Sequence, residues 1–232
     1  MAEPVVILTG AGVSAESGLG TFRDKGGIWA RFDPARLATP EAFAADPAQV
    51  HTFYNLRRAN CLDAAPNPAH HALARLGRDW PGEVVLITQN VDDLHERAGS
   101  TGVIHMHGRL ARALCAACAH RWDAPREMRP TDRCPRCGET ATRPDIVWFG
   151  EYPYHMDRIA AAVARAGLFA VIGSSGQVYP AAGLVGEARA AGARTVEINL
   201  EPSARADAFD DALYGPASET VPHWVAGLLD GG

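Results

Sequence analysis

Four of the five cysteines fall in two close pairs, Cys115-x-x-Cys118 and Cys134-x-x-Cys137, fifteen residues apart. That spacing fits the C-x2-C-x15–20-C-x2-C zinc pattern. Four thiolates complete a tetrahedral shell and leave no open position for an activated water, so a structural rather than a catalytic zinc is predicted. His120 lies close but would be a fifth ligand, and it is left out. Cys61 stands alone and reads as a small apolar residue.

A second cluster is glycine-rich. An apolar run over residues 4–9 leads into Gly10-Ala11-Gly12-Val13-Ser14-Ala15-Glu16-Ser17-Gly18, and positions 10, 12 and 15 fit G-x-G-x-x-G/A. Such a loop lets the backbone approach a pyrophosphate, and a following helix start offers free N–H groups to the anion. A plain strand-to-helix turn accounts for the same residues. A simple dehydrogenase would place an acidic residue about 20 residues on, at the end of a second strand. Here Thr21-Phe22-Arg23-Asp24-Lys25-Gly26-Gly27 follows, which is loop-like.

These residues need a frame. Short apolar, β-branched runs at 4–9, 83–88, 103–105, 168–173 and 195–200 read as buried strands. Helical segments are predicted over 68–80, 154–166, from about 179 to 191, and over 221–229. Strands alternating with helices predict a parallel sheet covered on both faces. Residues 25–65, a loop plus helix, and residues 109–143, with the paired cysteines, break this rhythm. The expected fold is therefore α/β: a Rossmann-like parallel-sheet domain over 1–24, 66–108 and 144–232. The two insertions, 25–65 helical and 109–143 zinc-binding, would form a small second lobe.

The run GAGVSAESGLGTFRD resembles the cofactor loop of sirtuins. Further matches are Thr88-Gln89-Asn90-Val91-Asp92-Asp93-Leu94-His95, His105-Met106-His107-Gly108, Gly173-Ser174-Ser175 and Asn199-Leu200-Glu201. They occur in family order and cover nearly the whole chain. The resemblance implies an NAD-dependent protein-lysine deacylase with NAD in a cleft between the two domains.

Residue roles follow from the same resemblance. Gly10, Ala11, Gly12, Ala15 and Glu16 would hold the NAD phosphates and ribose, with Thr21, Phe22 and Arg23 closing over the reacting end. Gln89, Asn90, Val91 and Asp92 would line the nicotinamide pocket; an Asx turn or helix cap is the ordinary alternative. Gly173, Ser174 and Ser175 would meet the cofactor at a strand end, Asn199, Leu200 and Glu201 its adenosine ribose, and Ala217 its adenine; simple loop chemistry is the ordinary alternative. His107 occupies the position of the catalytic base, a role that suits imidazole near neutral pH, with His105 as competitor. The segment Val147-Trp148-Phe149-Gly150-Glu151 resembles the strand that pairs with the substrate peptide.

Tyr54-x-x-Arg57 puts two side chains on one helix face. Alone this is a packing contact beside a surface arginine. Class III sirtuins carry such a pair in the acyl pocket, where it binds the carboxylate of succinyl- or malonyl-lysine, and they have a small alanine there that Ala38 matches. The implied reaction consumes NAD and gives nicotinamide, O-acyl-ADP-ribose and free lysine.

Composition narrows the partners. Formal net charge is −5, against nonspecific binding to nucleic acid or anionic membrane. Lys25 is the sole lysine among 22 basic residues, so most arginines read as solvated surface charge. No run approaches the roughly 20 apolar residues needed to span a bilayer. No export signal is visible, and paired cysteines without one favour metal over disulfides and a cytoplasmic setting. Acylated-lysine proteins are the expected partners; the oligomeric state is left open. Two other readings stay open: protein ADP-ribosyl transfer from the same cleft, and a zinc-ribbon binding module, since residues 109–143 carry eight Arg against four Asp or Glu.

Overall fold

The computed structural model describes residues 2–20 and 37–231. Six parallel strands form the main sheet, in the order β3-β2-β1-β7-β8-β9. They are β1 (Val5–Thr9), β2 (Val84–Thr88), β3 (Ile104–His105), β7 (Leu168–Ile172), β8 (Arg194–Asn199) and β9 (Asp211–Tyr214). All five residues of β1 and of β7 are buried, which is why both runs are continuously apolar or β-branched.

Alternate residues of β1 serve opposite faces. Val5 and Ile7 join a core with α4 (Pro68–Asp79) and α8 (Ala217–Asp230). Val6 and Leu8 join another with α6 (Met156–Val163) and α7 (Leu184–Ala190). The main sheet is thus sandwiched between two helical layers.

A second sheet is antiparallel, ordered β5-β4-β6, from β4 (Gly108–Cys115), β5 (Arg121–Asp123) and β6 (Thr142–Ile146). Beside it run α2 (Pro40–Ala45) and α3 (Pro47–Asp63). One helix was expected here. Two form because Asp46 ends the first and caps the second, its side chain accepting from Gln49 N at 2.9 Å. The two inserted segments share a core of Leu37, Val50, Phe53, Tyr54 and Leu110, completed by Ile146 and Trp148 from the large domain.

Two short helices complete the frame around the site: α1 (Gly12–Ala15), directly after β1, and α5 (Leu94–Arg97) after β2. The C-terminal helix starts at Ala217 rather than near 221, and it carries Pro222 inside it.

Candidate active site

From β1 the chain builds outward through β2 and β3 on one side, and from β7 through β8 and β9 on the other. Open α/β sheets bind ligands where the order reverses, at the carboxyl ends of the strands. At that point a cleft of about 1220 Å³ opens. It is lined by Gly10, Ala11, Gly12, Ala15, Glu16, Ala38, Tyr54, Arg57, Gln89, Asn90, Val91, Asp92 and His107. Val147, Trp148, Phe149, Gly173, Ser174, Ser175, Asn199, Leu200, Glu201 and Ala217 line it too. Residues proposed from nine separate sequence segments therefore face one space. Thr21, Phe22 and Arg23 lie outside the described residues.

The floor is a backbone crossing. Gly10 N donates to Ile172 O and Gly12 N to Gly173 O, both at 2.8 Å. A Cβ on Gly12 would lie 2.7 Å from Gly173 Cα, and one on Gly10 would lie 2.7 Å from Gly173 O. Gly173 itself holds φ +64°. Ser174 continues this wall, its Oγ accepting from Gln89 Nε2 at 3.0 Å and its carbonyl accepting from Asn199 Nδ2 at 2.8 Å.

His107 sits just before β4. Its Nδ1 is 3.0 Å from the Gln89 carbonyl. A carbonyl only accepts, so Nδ1 carries the proton and Nε2 keeps a lone pair. Burial pushes this imidazole below its ordinary value, opposed by the Gln89 hydrogen bond. His105 is held on both nitrogens, by the Asn90 carbonyl at 3.2 Å and Glu96 Oε1 at 2.8 Å. It does not line the cleft.

Behind the floor lies a polar network that the sequence reading did not single out. Ser14 Oγ donates to Asp92 Oδ2 at 3.2 Å and accepts from Asn90 Nδ2 at 3.1 Å. His70 Nδ1 accepts from Asn67 N at 3.3 Å, so its Nε2 bears the proton facing Ser14 Oγ at 3.3 Å. Asp92 is pushed up by burial, and its Oδ1 accepts from Leu94 N at 3.1 Å. That second bond is the turn-forming role weighed for Asp92 from sequence; it coexists with a place on the cleft wall.

On the other wall, Trp148 Nε1 donates to Tyr54 Oη at 2.9 Å. The Arg57 guanidinium lies 5.7 Å from the Phe53 and Tyr54 ring centres. Burial lowers Arg57 and raises Tyr54. Arg143 clamps Glu151 at 2.6 and 2.9 Å and stacks 3.4 Å from the Trp148 ring centre. The N–H groups of Val147, Trp148 and Phe149 are engaged by His107 O, Glu151 Oε2 and Ala38 O. Glu151, the last residue of the segment that resembles the substrate strand, also lines the cleft, as does Cys61, which stood alone in the sequence and whose thiol burial pushes up to about 12.

Away from the cleft, the Sγ atoms of Cys115, Cys118, Cys134 and Cys137 all lie within 4.8 Å of one another. Cys115–Cys137 and Cys118–Cys134 are 3.6 and 3.7 Å apart, close to the edge of about 3.8 Å that a tetrahedron of 2.3 Å zinc–sulfur bonds requires. Each pair turns the same way. Ala119 (φ 57°) and Gly138 (φ 77°) directly follow the second cysteine and donate to the first cysteine's carbonyl, at 2.8 and 2.9 Å. The donor set fits zinc, which would tie β4 to the 134–137 turn and supply no reaction chemistry.

A model described as "Sir2 family" matches residues 10–180. The chain belongs to the Sir2 family. It is 56% identical to an NAD-dependent protein deacylase of Caulobacter vibrioides, over 97% of this chain and 96% of that one. It is 50% identical to another of Bdellovibrio bacteriovorus, over 97% of each. A crystal structure of a Sir2 homologue–NAD complex superposes with TM-score 0.91 at 42% identity, covering 98% of this sirtuin and 90% of that chain. A mutant Sir2 homologue bound to 2'-O-acetyl ADP ribose superposes with TM-score 0.90 at 41% identity, covering 98% and 92%.

Proposed function

We propose that this sirtuin removes acyl groups from protein lysines at the expense of NAD and one water, releasing nicotinamide, O-acyl-ADP-ribose and free lysine, and that it favours acyl groups ending in a carboxylate. The observation that carries this reading is one cleft shared by the glycine floor, the lone-pair nitrogen of His107 and the Tyr54–Arg57 pair.

NAD, when bound, supplies an electrophilic ribose carbon with nicotinamide as leaving group. The chain does the rest. Gly10, Ala11, Gly12 and Ala15 present backbone to the phosphates. Asp92 and Asn90, held by Ser14, accept and donate to the carboxamide. His107 Nε2 takes the proton of a ribose hydroxyl, while the Gln89 carbonyl fixes the ring and steadies the imidazolium that results. Asn199, Leu200, Glu201, Ala217 and Ser175 surround the adenosine end. Ala38, with Tyr54 and Arg57, shapes the acyl end.

Residues 1–24, 66–108 and 144–232 are read as the cofactor domain, with 25–65 and 109–143 as the small lobe. The core that joins Tyr54 of the first insertion to Leu110 of the second supports that division, and Trp148 packs on it from the cofactor domain. The partners are acylated proteins. Five of the eight arginines of 109–143 pair with carboxylates, which disfavours a nucleic-acid face. No helix among the described residues is long and apolar enough to cross a membrane. Four thiolate ligands suit a reducing compartment, which supports the reading of a cytoplasmic enzyme.

Mass spectrometry of acetyl- and succinyl-lysine peptides with and without NAD tests the reading. Loss of the acyl mass only with NAD supports it. Intact acyl peptide, together with protein that gains ADP-ribose, would overturn it in favour of ADP-ribosyl transfer.

A further inference from the structure

Both carboxylate oxygens of Glu16 are engaged by one residue at the far end of the chain. Ser218 Oγ donates to Glu16 Oε1 at 2.6 Å, and Ser218 N donates to Glu16 Oε2 at 2.9 Å. Ser218 is the second residue of α8, whose N-cap, Pro216, offers no side-chain acceptor. The first N–H groups of a helix need partners from outside it, and a carboxylate there also meets the positive end of the helix dipole. Glu16, arriving from the C-terminal end of α1, fills that role across 202 residues of sequence. Ala11, Ala15 and Glu16 on one side, and Pro216 and Ala217 on the other, line the same cleft.

We infer that Glu16 and Ser218 form a latch that sets the distance between the glycine loop and the start of α8, and so the adenosine end of the cofactor site. Glu16 acts as a positioning residue. It does not contact the ribose itself, the role that the resemblance gave it. The inference rests on the reading that NAD occupies this cleft.

The two roles separate cleanly. If Glu16 contacts NAD directly, Ser218 is dispensable. If the latch matters, either partner is required. The test is calorimetric binding of NAD and of ADP-ribose to the full chain, with steady-state KM and kcat, for Glu16→Ala, Ser218→Ala, the double variant and Ser218→Thr. A lost helix cap corresponds to an effect of about tenfold. The latch predicts that each alanine variant weakens both ligands about tenfold, and that the double variant is no weaker than the worse single one. Ser218→Thr, which keeps the hydroxyl and the N–H, restores binding. The loss should fall on KM for NAD, with KM for the acyl peptide unmoved. Wild-type affinity in Ser218→Ala, additive losses in the double variant, or equal rises in both KM values would each overturn the latch. A thermal melt of each variant separates a displaced wall from an unfolded helix. Failure of the wild-type chain to bind NAD at all would instead remove the reading on which the latch rests.

Discussion

The indole N–H of Trp148 points at the phenol oxygen of Tyr54, 2.9 Å away, with both side chains almost wholly buried. A phenol oxygen that accepts from an indole keeps its own hydrogen for another acceptor. Tyr54 also sits one helical turn before Arg57 on α3. A hydroxyl donor and a cation that burial makes harder to hold charged thus stand together in the cleft wall.

An acyl group ending in a carboxylate must shed water to enter, and that is costly unless donors replace the lost hydrogen bonds. Arg57→Met removes the charge while keeping bulk. The cost of breaking a buried charge pair, about 3–5 kcal/mol, converts to roughly two to three and a half decades of kcat/KM. Desuccinylation should therefore collapse in Arg57→Met and fall less in Tyr54→Phe, with deacetylation changed modestly. Paired kinetics on succinyl- and acetyl-lysine peptides check this. Equal losses on both substrates would sink the acidic-acyl assignment.

His107→Ala should lower NAD-dependent deacylation by about 10²–10⁴-fold, the contribution of a placed general base, with the fold intact. Because burial holds the imidazole of His107 below its ordinary value, it stays a neutral base below pH 6.5. The acid limb of the kcat/KM profile should accordingly fall below pH 6.5, and it should vanish from the residual rate of His107→Ala. Near-normal turnover in a folded His107→Ala chain would move the base elsewhere.

One zinc per chain is expected in reduced protein, because the four Sγ atoms already stand near tetrahedral spacing. Cys134→Ala with Cys137→Ala should lose the metal, and the β5-β4-β6 sheet should lose protease resistance, since metal binding and local folding are coupled. Elemental analysis gives the stoichiometry. Zinc retained by the double variant contradicts the assignment.

Acid should destabilise the chain through two buried histidines. Burial pushes His70 down to about 4 and His95 to about 3. His95 Nδ1 has no hydrogen-bond partner among the described residues, so a second proton there would be unsupported. In the unfolded chain both rings take up protons as pH falls through about 6.5, while the folded chain refuses them. Stability is therefore full above pH 6.5 and declines below it, by up to about 1.4 kcal/mol per pH unit for each ring. Urea titrations between pH 7 and 4.5 should show that decline, and His95→Gln should flatten it. A pH-independent midpoint would contradict it.

The site was more legible than the frame around the small lobe. Continuous burial makes β1 and β7 uniformly apolar, so their ends, and the motifs that follow them, were readable in the sequence. Strand β9 (Asp211–Tyr214) was not, because it is a mostly exposed edge with no apolar run. Strand β4 buries Gly108, Leu110, Ala113 and Cys115, and its register against β6 shifts between Gly108 and Ala113. That irregularity breaks the period-two pattern by which a strand is recognised. Helix α8 begins at Ala217, four residues before the expected 221, and carries Pro222 at its sixth position, where the ring forgoes one helical bond. Ser14 was within view in the glycine loop, but its bonds to Asp92 and Asn90 join segments more than 70 residues apart, which local pattern does not report.

Gly10, Gly12 and Gly173 meet backbone against backbone, with no room for a methyl group on any of them. The floor is consequently as thin as two peptide layers allow, and side-chain choice has no means of adjusting it. Among the described residues, the side chains free to vary around the cleft are those of its walls, including Tyr54 and Arg57 of α3, Trp148, Val178 and Tyr179. Redesign of this cleft therefore has a fixed datum and adjustable walls, and substitutions in the floor would change whether it works rather than what it selects.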